Sequence, residues 1–315
     1  MTREAFFMKN SMAKGHLAAF LTILIWGTTF ISTMVLLQDF LPVEILFFRF
    51  FLGFAALLLV YPHRLKGTTP RQDLVLAAAG LCGVCLYYLL ENMALTYTMA
   101  SNVGVIVSAA PFFTAILSRF FLKQEEKLGA RFFVGFVVAM AGILLISLNG
   151  SALQLHPTGD LLALLAAFLW ACYSVLTRKI SGYGYPTILT TRRIFFYGIL
   201  CMIPALWLFD FRFAPERFGR PVSLLNILFL GLGASALCFV TWNFAVRCLG
   251  AVRTSIYIYL VPVITITASV LILREPFSLA TGVGTGLTMA GLLLSESKSF
   301  SRKSTEEGYL KNGNC

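Results

Sequence analysis

The sequence predicts an all-α integral membrane protein of ten transmembrane helices, arranged as two inverted five-helix repeats. Three observations carry this reading. The 315 residues are 58% hydrophobic and 12% charged, against about 25% charged in a typical soluble domain. So few charges cannot cover a water-facing surface. The chain also repeats itself. Trp26 and Arg49 recur as Trp170 and Arg193 at an offset of 144, and Asn92, Ala94, Pro111, Thr114 and Ser118 recur as Asn243, Ala245, Pro262, Thr265 and Ser269 at an offset of 151. Finally, each half carries five apolar stretches, an odd number, so the second copy must enter the bilayer from the opposite side. Inverted repeats of this kind are a mark of secondary carriers, whose substrates bind between the halves near the midplane.

A spanning helix needs about 20 mainly apolar residues. The expected spans are 17–37, 42–62, 74–91, 98–121, 129–148, 159–177, 188–208, 223–245, 253–273 and 278–295. The first follows Lys9 and Lys14 and lacks a small-residue cleavage site, so it reads as a helix and not a removed signal peptide. Leu41-Pro42 opens the second, which carries Arg49. The basic stretch His63 to Arg71 separates it from the third, which ends at Glu91. The fourth and ninth begin with small or polar residues, Met99-Ala100-Ser101-Asn102 and Gly250-Ala251-Val252, and carry Pro111 and Pro262 about midway. Proline removes a backbone donor and frees a carbonyl. In lipid, such backbone is tolerated where it is buried in protein or lines a watery cavity, so these helices are expected along the central pathway. Lys123 to Arg131 lead into the fifth span, and Asn149-Gly150 close it. Gly135 and Gly142 in the fifth, with Gly282, Gly284, Gly286 and Gly291 in the tenth, suit helices that pack closely in lipid outside the pathway. The domain reading is a tail at 1–15, repeats at 16–150 and 157–296, and a tail at 297–315, with no folded soluble domain.

The formal charge is +11, yet its placement points to a membrane and away from nucleic acid. Of the 25 Lys and Arg, Arg49 lies inside a span, and Arg212, Arg217, Arg220 and Arg274 fall on one side. The other 20 (25 less these five) sit on loops and helix ends of the opposite side. The positive-inside rule then places both termini in the cytoplasm of an inner or plasma membrane. Six of the seven Cys fall in or beside spans and the seventh is Cys315, which is not a secreted disulfide framework. Cys82-Gly-Val-Cys85 has redox-motif spacing but lies mid-helix, with no charged neighbour to activate a thiol. The histidines are His16, His63 and His156. They form no metal-ligand cluster, and no HExxH, GxSxG or Walker A pattern occurs. The reading is therefore no enzyme, no catalytic residues, no cofactor and no metal.

The chain resembles the EamA-like branch of the drug/metabolite transporter (DMT) superfamily. The resemblance rests on Trp26-Gly27-Thr28-Thr29-Phe30, Phe48-Arg49-Phe50, and the run from Glu91-Asn92-Met93-Ala94 through Ser101 and Pro111 to Glu125. The second copy echoes the run as Asn243-Phe244-Ala245, Pro262 and Arg274-Glu275-Pro276. It departs from the first at Trp170, which Ala171-Cys172 follow where the first copy has Gly-Thr. The resemblance covers residues 16–296. It implies ten spans, cytoplasmic termini and a cavity built mainly by spans 1, 3, 4, 6, 8 and 9.

Within that frame the expected substrate-binding residues are Trp26, Thr29, Tyr88, Glu91, Asn92, Ser108, Trp170, Tyr173, Ser174, Trp242, Asn243 and Tyr259. Aromatic rings stack on flat groups or hold cations, and small polar groups supply hydrogen bonds. Arg49, Pro111, Arg193 and Pro262 are expected in gating or structural roles, the arginines capping carbonyls of neighbouring helices. Glu91 is the most membrane-embedded carboxylate, and intramembrane ionisable groups mark substrate or ion pathways. Protons are the candidate coupling ion. The expected function is secondary active export of amino acids or related small metabolites by alternating access, from a monomer or homodimer. The alternative is a receptor, scaffold or channel on the same fold. Substrate identity, transport direction and oligomeric state are not encoded in any motif.

Overall fold

In hydrocarbon, backbone N–H and C=O groups must find partners within the protein, which an apolar segment achieves as a helix. The computed structural model describes residues 3–122, 130–148, 156–274 and 277–296, and these contain helices and turns but no strand. The expectations for Lys123, Glu125, Lys127, Asn149-Gly150, Glu275, Pro276 and the 297–315 tail lie outside the described residues.

The helices in order are α1 (Arg3–Trp26), α2 (Thr29–Leu36), α3 (Pro42–Val60), α4 (Pro70–Gly80), α5 (Tyr87–Ala94), α6 (Ala100–Val107), α7 (Ala110–Phe121), α8 (Ala130–Leu148), α9 (Pro157–Ser181), α10 (Thr187–Leu208), α11 (Pro221–Leu228), α12 (Cys238–Leu249), α13 (Ala251–Ser255), α14 (Val261–Ala268) and α15 (Leu279–Glu296). Residues 3–15, expected as a tail, are helical and continuous with the first span. Joined end to end, these helices give eight stretches long and apolar enough to cross a membrane, from Ser11–Leu36 to Ala251–Leu273. Helices α8 and α15 take the places expected of a fifth and a tenth span, and α8 contributes the shorter apolar stretch Phe133–Gly142. Among the described residues, eight stretches thus qualify as spans by length and composition.

Several spans are interrupted, and the breaks of the fourth and ninth are repeat-related. The first breaks at Gly27-Thr28, where the Thr265 hydroxyl donates to the freed Gly27 carbonyl at 2.9 Å. The fourth breaks at Ser108-Ala109, putting Pro111 in the first turn of α7. In the ninth, a 3₁₀ stretch Ile256–Leu260 separates α13 from α14, and Pro262 lies in the first turn of α14. Both prolines therefore start a half-helix, where the missing N–H has no intrahelical partner to lose. Wide π turns occur at Leu81–Leu86, between α4 and α5, and at Phe229–Leu237, between α11 and α12. Shifting the first by the repeat offset of 151 gives 232–237, inside the second. π turns are rare and frequently sit at functional sites.

Glycine sets the closest helix contacts. A Cβ on Gly80 would lie 2.6 Å from the Ile194 carbonyl oxygen and 2.7 Å from the Gly198 nitrogen, so the α4 and α10 backbones touch. We expect Gly80→Ala to cost about 1–3 kcal/mol through overpacking, read as a lower melting temperature in detergent. An unchanged melt would mean that the two backbones do not meet this closely. Helices α8 and α15 pack along one another. Gly142 abuts the Gly284 carbonyl and Thr288, and Gly291 abuts the Gly135–Ala139 backbone. These are four of the six glycines read above as packing residues; Gly286 has open space beside it and Gly282 meets only the Phe277 ring.

Candidate substrate-binding site

The π turn Phe229–Leu237 organises the centre of the bundle. Consecutive residues on it face two functional side chains of the first repeat. The Trp26 indole N–H donates to the Ala234 carbonyl at 2.9 Å, and Arg49 Nε donates to Ser235 Oγ at 3.1 Å. Trp26 stands at the break between α1 and α2, and Arg49 lies two turns into α3.

Around this point three tryptophans from three spans converge. Trp26 meets Trp170 edge-on at 5.0 Å between ring centres and Trp242 at 5.1 Å. Trp170 also meets Tyr173 at 4.9 Å and Tyr87 at 4.9 Å. Phe239 touches Trp26, Trp170, Tyr173, Tyr88, Phe50 and Phe195. Each such pair contributes about 0.5–1.5 kcal/mol beyond area burial. All these rings are buried. In this conformation the rings meet directly, so the centre is closed. A narrow cavity lined by Thr177, Tyr185, Thr190, Asn243 and Arg247 approaches the cluster from the α9–α10 end.

Beside the rings lie two buried charges. Arg49 is fully buried, its guanidinium 4.1 Å from the centre of the Tyr88 ring. Nη1 and Nη2 have no hydrogen-bond partner. Glu91, on α5, is 1% exposed, and its Oε1 has no partner. The Tyr87 phenol, one turn earlier on α5, lies beside its carboxyl group. The described ion pairs join other residues, Arg193–Asp73, Arg217–Glu44 and Arg220–Asp39. Arg49 and Glu91 are therefore opposite charges, both buried, not in contact with each other. Burying an ion carries a penalty of several kcal/mol. One hydrogen bond to a hydroxyl and a cation–π contact of about 2 kcal/mol offset only part of it for Arg49. The indole N–H groups of Trp170 and Trp242 are likewise buried without a partner. The centre thus holds open donors and one open acceptor, enclosed by rings.

The other expected residues have more local employment. Tyr173 donates to Asn243 Oδ1 at 2.8 Å, and Asn243 Nδ2 donates to Thr191 at 3.0 Å, bridging α9, α12 and α10. Thr29, Ser108 and Ser174 donate to carbonyls of their own spans, from Trp26, Val105 and Trp170. Asn92 Nδ2 donates to the Pro42 carbonyl at 3.0 Å, fastening α5 to the start of α3. Tyr259 packs in a separate small cluster with Ala139 and Ile256. The carbonyl-capping role expected of Arg49 and Arg193 falls to neither. Arg49 donates to a hydroxyl. Arg193 is 32% exposed, 3.7 Å from Asp73. Its neighbour Arg192 caps the Tyr61 and His63 carbonyls after α3. Offset arithmetic equates residues 49 and 193 but cannot tell which of two adjacent arginines turns inward. Ser235, Phe239 and Phe195 carried no sequence signal, and Phe50 entered only with the Phe48-Arg49-Phe50 motif, because nothing in an apolar run distinguishes a hub ring from a packing ring.

At the α2–α3 end, a second charged group ties the repeats together. Glu44 is fully buried and accepts from Leu41 N at 2.8 Å, Arg212 N at 3.1 Å and Arg217 Nη1 at 2.6 Å. Asp39 accepts from Arg220 at 2.6 Å. Two of the arginines that break the charge bias, Arg217 and Arg220, thus pair with carboxylates of α3 and the α2–α3 turn, and Arg212 adds only its backbone N–H. A cavity of about 480 Å³ opens there, lined by Gln38, Asp39, Glu44, Asp210, Arg212 and Arg217 among others.

This architecture has relatives. The family model described as "EamA-like transporter family" matches residues 13–148 and 157–296. The chain belongs to the EamA-like transporter family. Among similar proteins, an uncharacterized transporter of Archaeoglobus fulgidus is 29% identical over 293 residues, covering 91% of this chain and 98% of its own. A protein of Streptantibioticus cattleyicolor, named a probable terminal-alkyne amino-acid exporter, is 25% identical and covers 93% and 96%. One solved crystal structure superposes with a TM-score of 0.66 at 20% identity, over 91% of this chain and 97% of the other. That likeness concerns the fold. As a member of this family, the protein is a multi-pass membrane transporter with a small-molecule substrate.

Proposed function

We propose that this protein is a secondary active exporter of amino acids or closely related compounds. In this reading it works by rocking of the two repeats about the tryptophan cluster, with both termini in the cytoplasm of an inner or plasma membrane. The observation that carries the proposal is the closed centre, where Trp26, Trp170 and Trp242 from both repeats meet beside two buried charged side chains that form no ion pair with each other. A structural core has no reason to keep such charges in lipid, whereas a carrier of small charged molecules does. The name of the Streptantibioticus relative favours amino acids among such molecules. Protons are the proposed coupling ion, with Glu91 as the buried carboxylate available to them. The test is counterflow in proteoliposomes with a panel of labelled amino acids, repeated as uphill flux under an imposed pH gradient. Saturable counterflow and gradient-driven accumulation are expected. Ohmic current would indicate a channel, and no flux with retained binding a receptor. Reporter fusions after residue 296 are expected to be active only in the cytoplasm, and activity on the opposite face would reverse the orientation.

A further inference from the structure

We infer that Arg49 and Glu91 are the two poles of a zwitterion-recognition site, Arg49 taking the carboxylate and Glu91 the ammonium group of one substrate molecule. This rests on the amino-acid reading above and assigns its binding chemistry. The observations are geometric. The two groups come from adjacent spans, α3 and α5, and are bridged by aromatic side chains: Tyr88 lies under the guanidinium, and Tyr87 lies beside the carboxyl group and packs on Tyr88 at 4.6 Å. Arg49 is held through Nε by Ser235, which leaves Nη1 and Nη2 without partners. Those two nitrogens are the edge of a guanidinium that matches a carboxylate in a bidentate fork. Glu91 keeps Oε1 without a partner, and an oxygen of this kind accepts from an ammonium group.

Charge balance narrows the ligand class. With Glu91 deprotonated, one buried cation and one buried anion sum to zero. A substrate with a single charge would satisfy one pole and leave the other bare. A zwitterion satisfies both and leaves the loaded centre neutral. The groups flanking the poles are rings of Trp26, Trp170, Trp242 and Phe239. The remainder of the substrate therefore meets an apolar wall, which suits an apolar side chain.

The experiment measures counterflow of labelled leucine in proteoliposomes against three unlabelled competitors: leucine, 4-methylpentanoate (leucine without its amine) and 3-methylbutylamine (leucine without its carboxylate). In the wild type, each analogue is expected to compete about 10- to 100-fold more weakly than leucine, the factor for losing one charge-assisted hydrogen-bonded contact. In Arg49→Gln, 3-methylbutylamine is expected to compete as well as leucine. In Glu91→Gln, 4-methylpentanoate is expected to do so. A purely structural role for either residue would lower all three together and leave their ranking unchanged, which would overturn the assignment. So would analogues that match leucine in the wild type, a result that needs no folded variant. Absence of wild-type counterflow with every amino acid would instead defeat the amino-acid reading itself, which separates the two failures.

Discussion

Glu44→Gln is expected to destabilise the protein by about 3 kcal/mol, the lower end of the range for breaking a buried ion pair by removing one partner. Glu44 is fully buried, and its oxygens take the Arg217 guanidinium and two backbone N–H groups. Glutamine keeps the shape but removes the charge that holds Arg217. The lower end applies because the Arg217 side chain is 24% exposed and recovers some hydration. A melting curve in detergent measures the loss. The control is Arg220→Ala, whose 69% exposed side chain pairs with Asp39 at the surface. Its loss is expected to change stability by less than about 1 kcal/mol. Equal effects of the two substitutions would contradict the distinction between a buried clasp and a surface pair.

Arg49→Met is expected to weaken leucine transport about 10- to 100-fold while leaving the melting temperature unchanged or raised. Methionine fills most of the same volume with an apolar chain. Replacing an unpaired buried charge by a packed hydrophobe removes its desolvation penalty of several kcal/mol, and functional sites commonly sacrifice stability. What is lost is one hydrogen bond to Ser235 and the contact with Tyr88. What is relieved is a guanidinium with two unpartnered nitrogens. A melting temperature well below the parent's, with transport lost in proportion to the folded fraction, would make Arg49 a structural residue.

Much of the architecture follows from composition, because an apolar chain in lipid has few alternatives to helices, and the residue repeat marks equivalent positions. Pro111 and Pro262 begin equivalent half-helices, as the repeat requires. The tryptophans of three spans also come together. Three things could not be read. The π turns depend on how spans pack, and Leu81–Leu86 looks like any apolar helix in sequence. The inward turn of Arg192 in place of Arg193 depends on a helix rotation of one residue, finer than a boundary estimate. The clasp at Glu44 joins residues 173 positions apart. Sequence showed its arginines only as exceptions to a charge rule, and in the structure Arg217 and Arg220 pair with carboxylates of the first repeat.

The central claim is that substrate enters the tryptophan cluster between the repeats. Three of the four tryptophans lie in that cluster, and the fourth, Trp207, is 86% exposed. In a Trp207→Phe background, emission comes from the cluster alone, and leucine is spectrally silent. Titration with leucine is expected to give a saturable change in emission, with a half-saturating concentration equal to that of leucine counterflow in the same variant. Unchanged emission at leucine concentrations that saturate counterflow would place the substrate elsewhere and contradict the account.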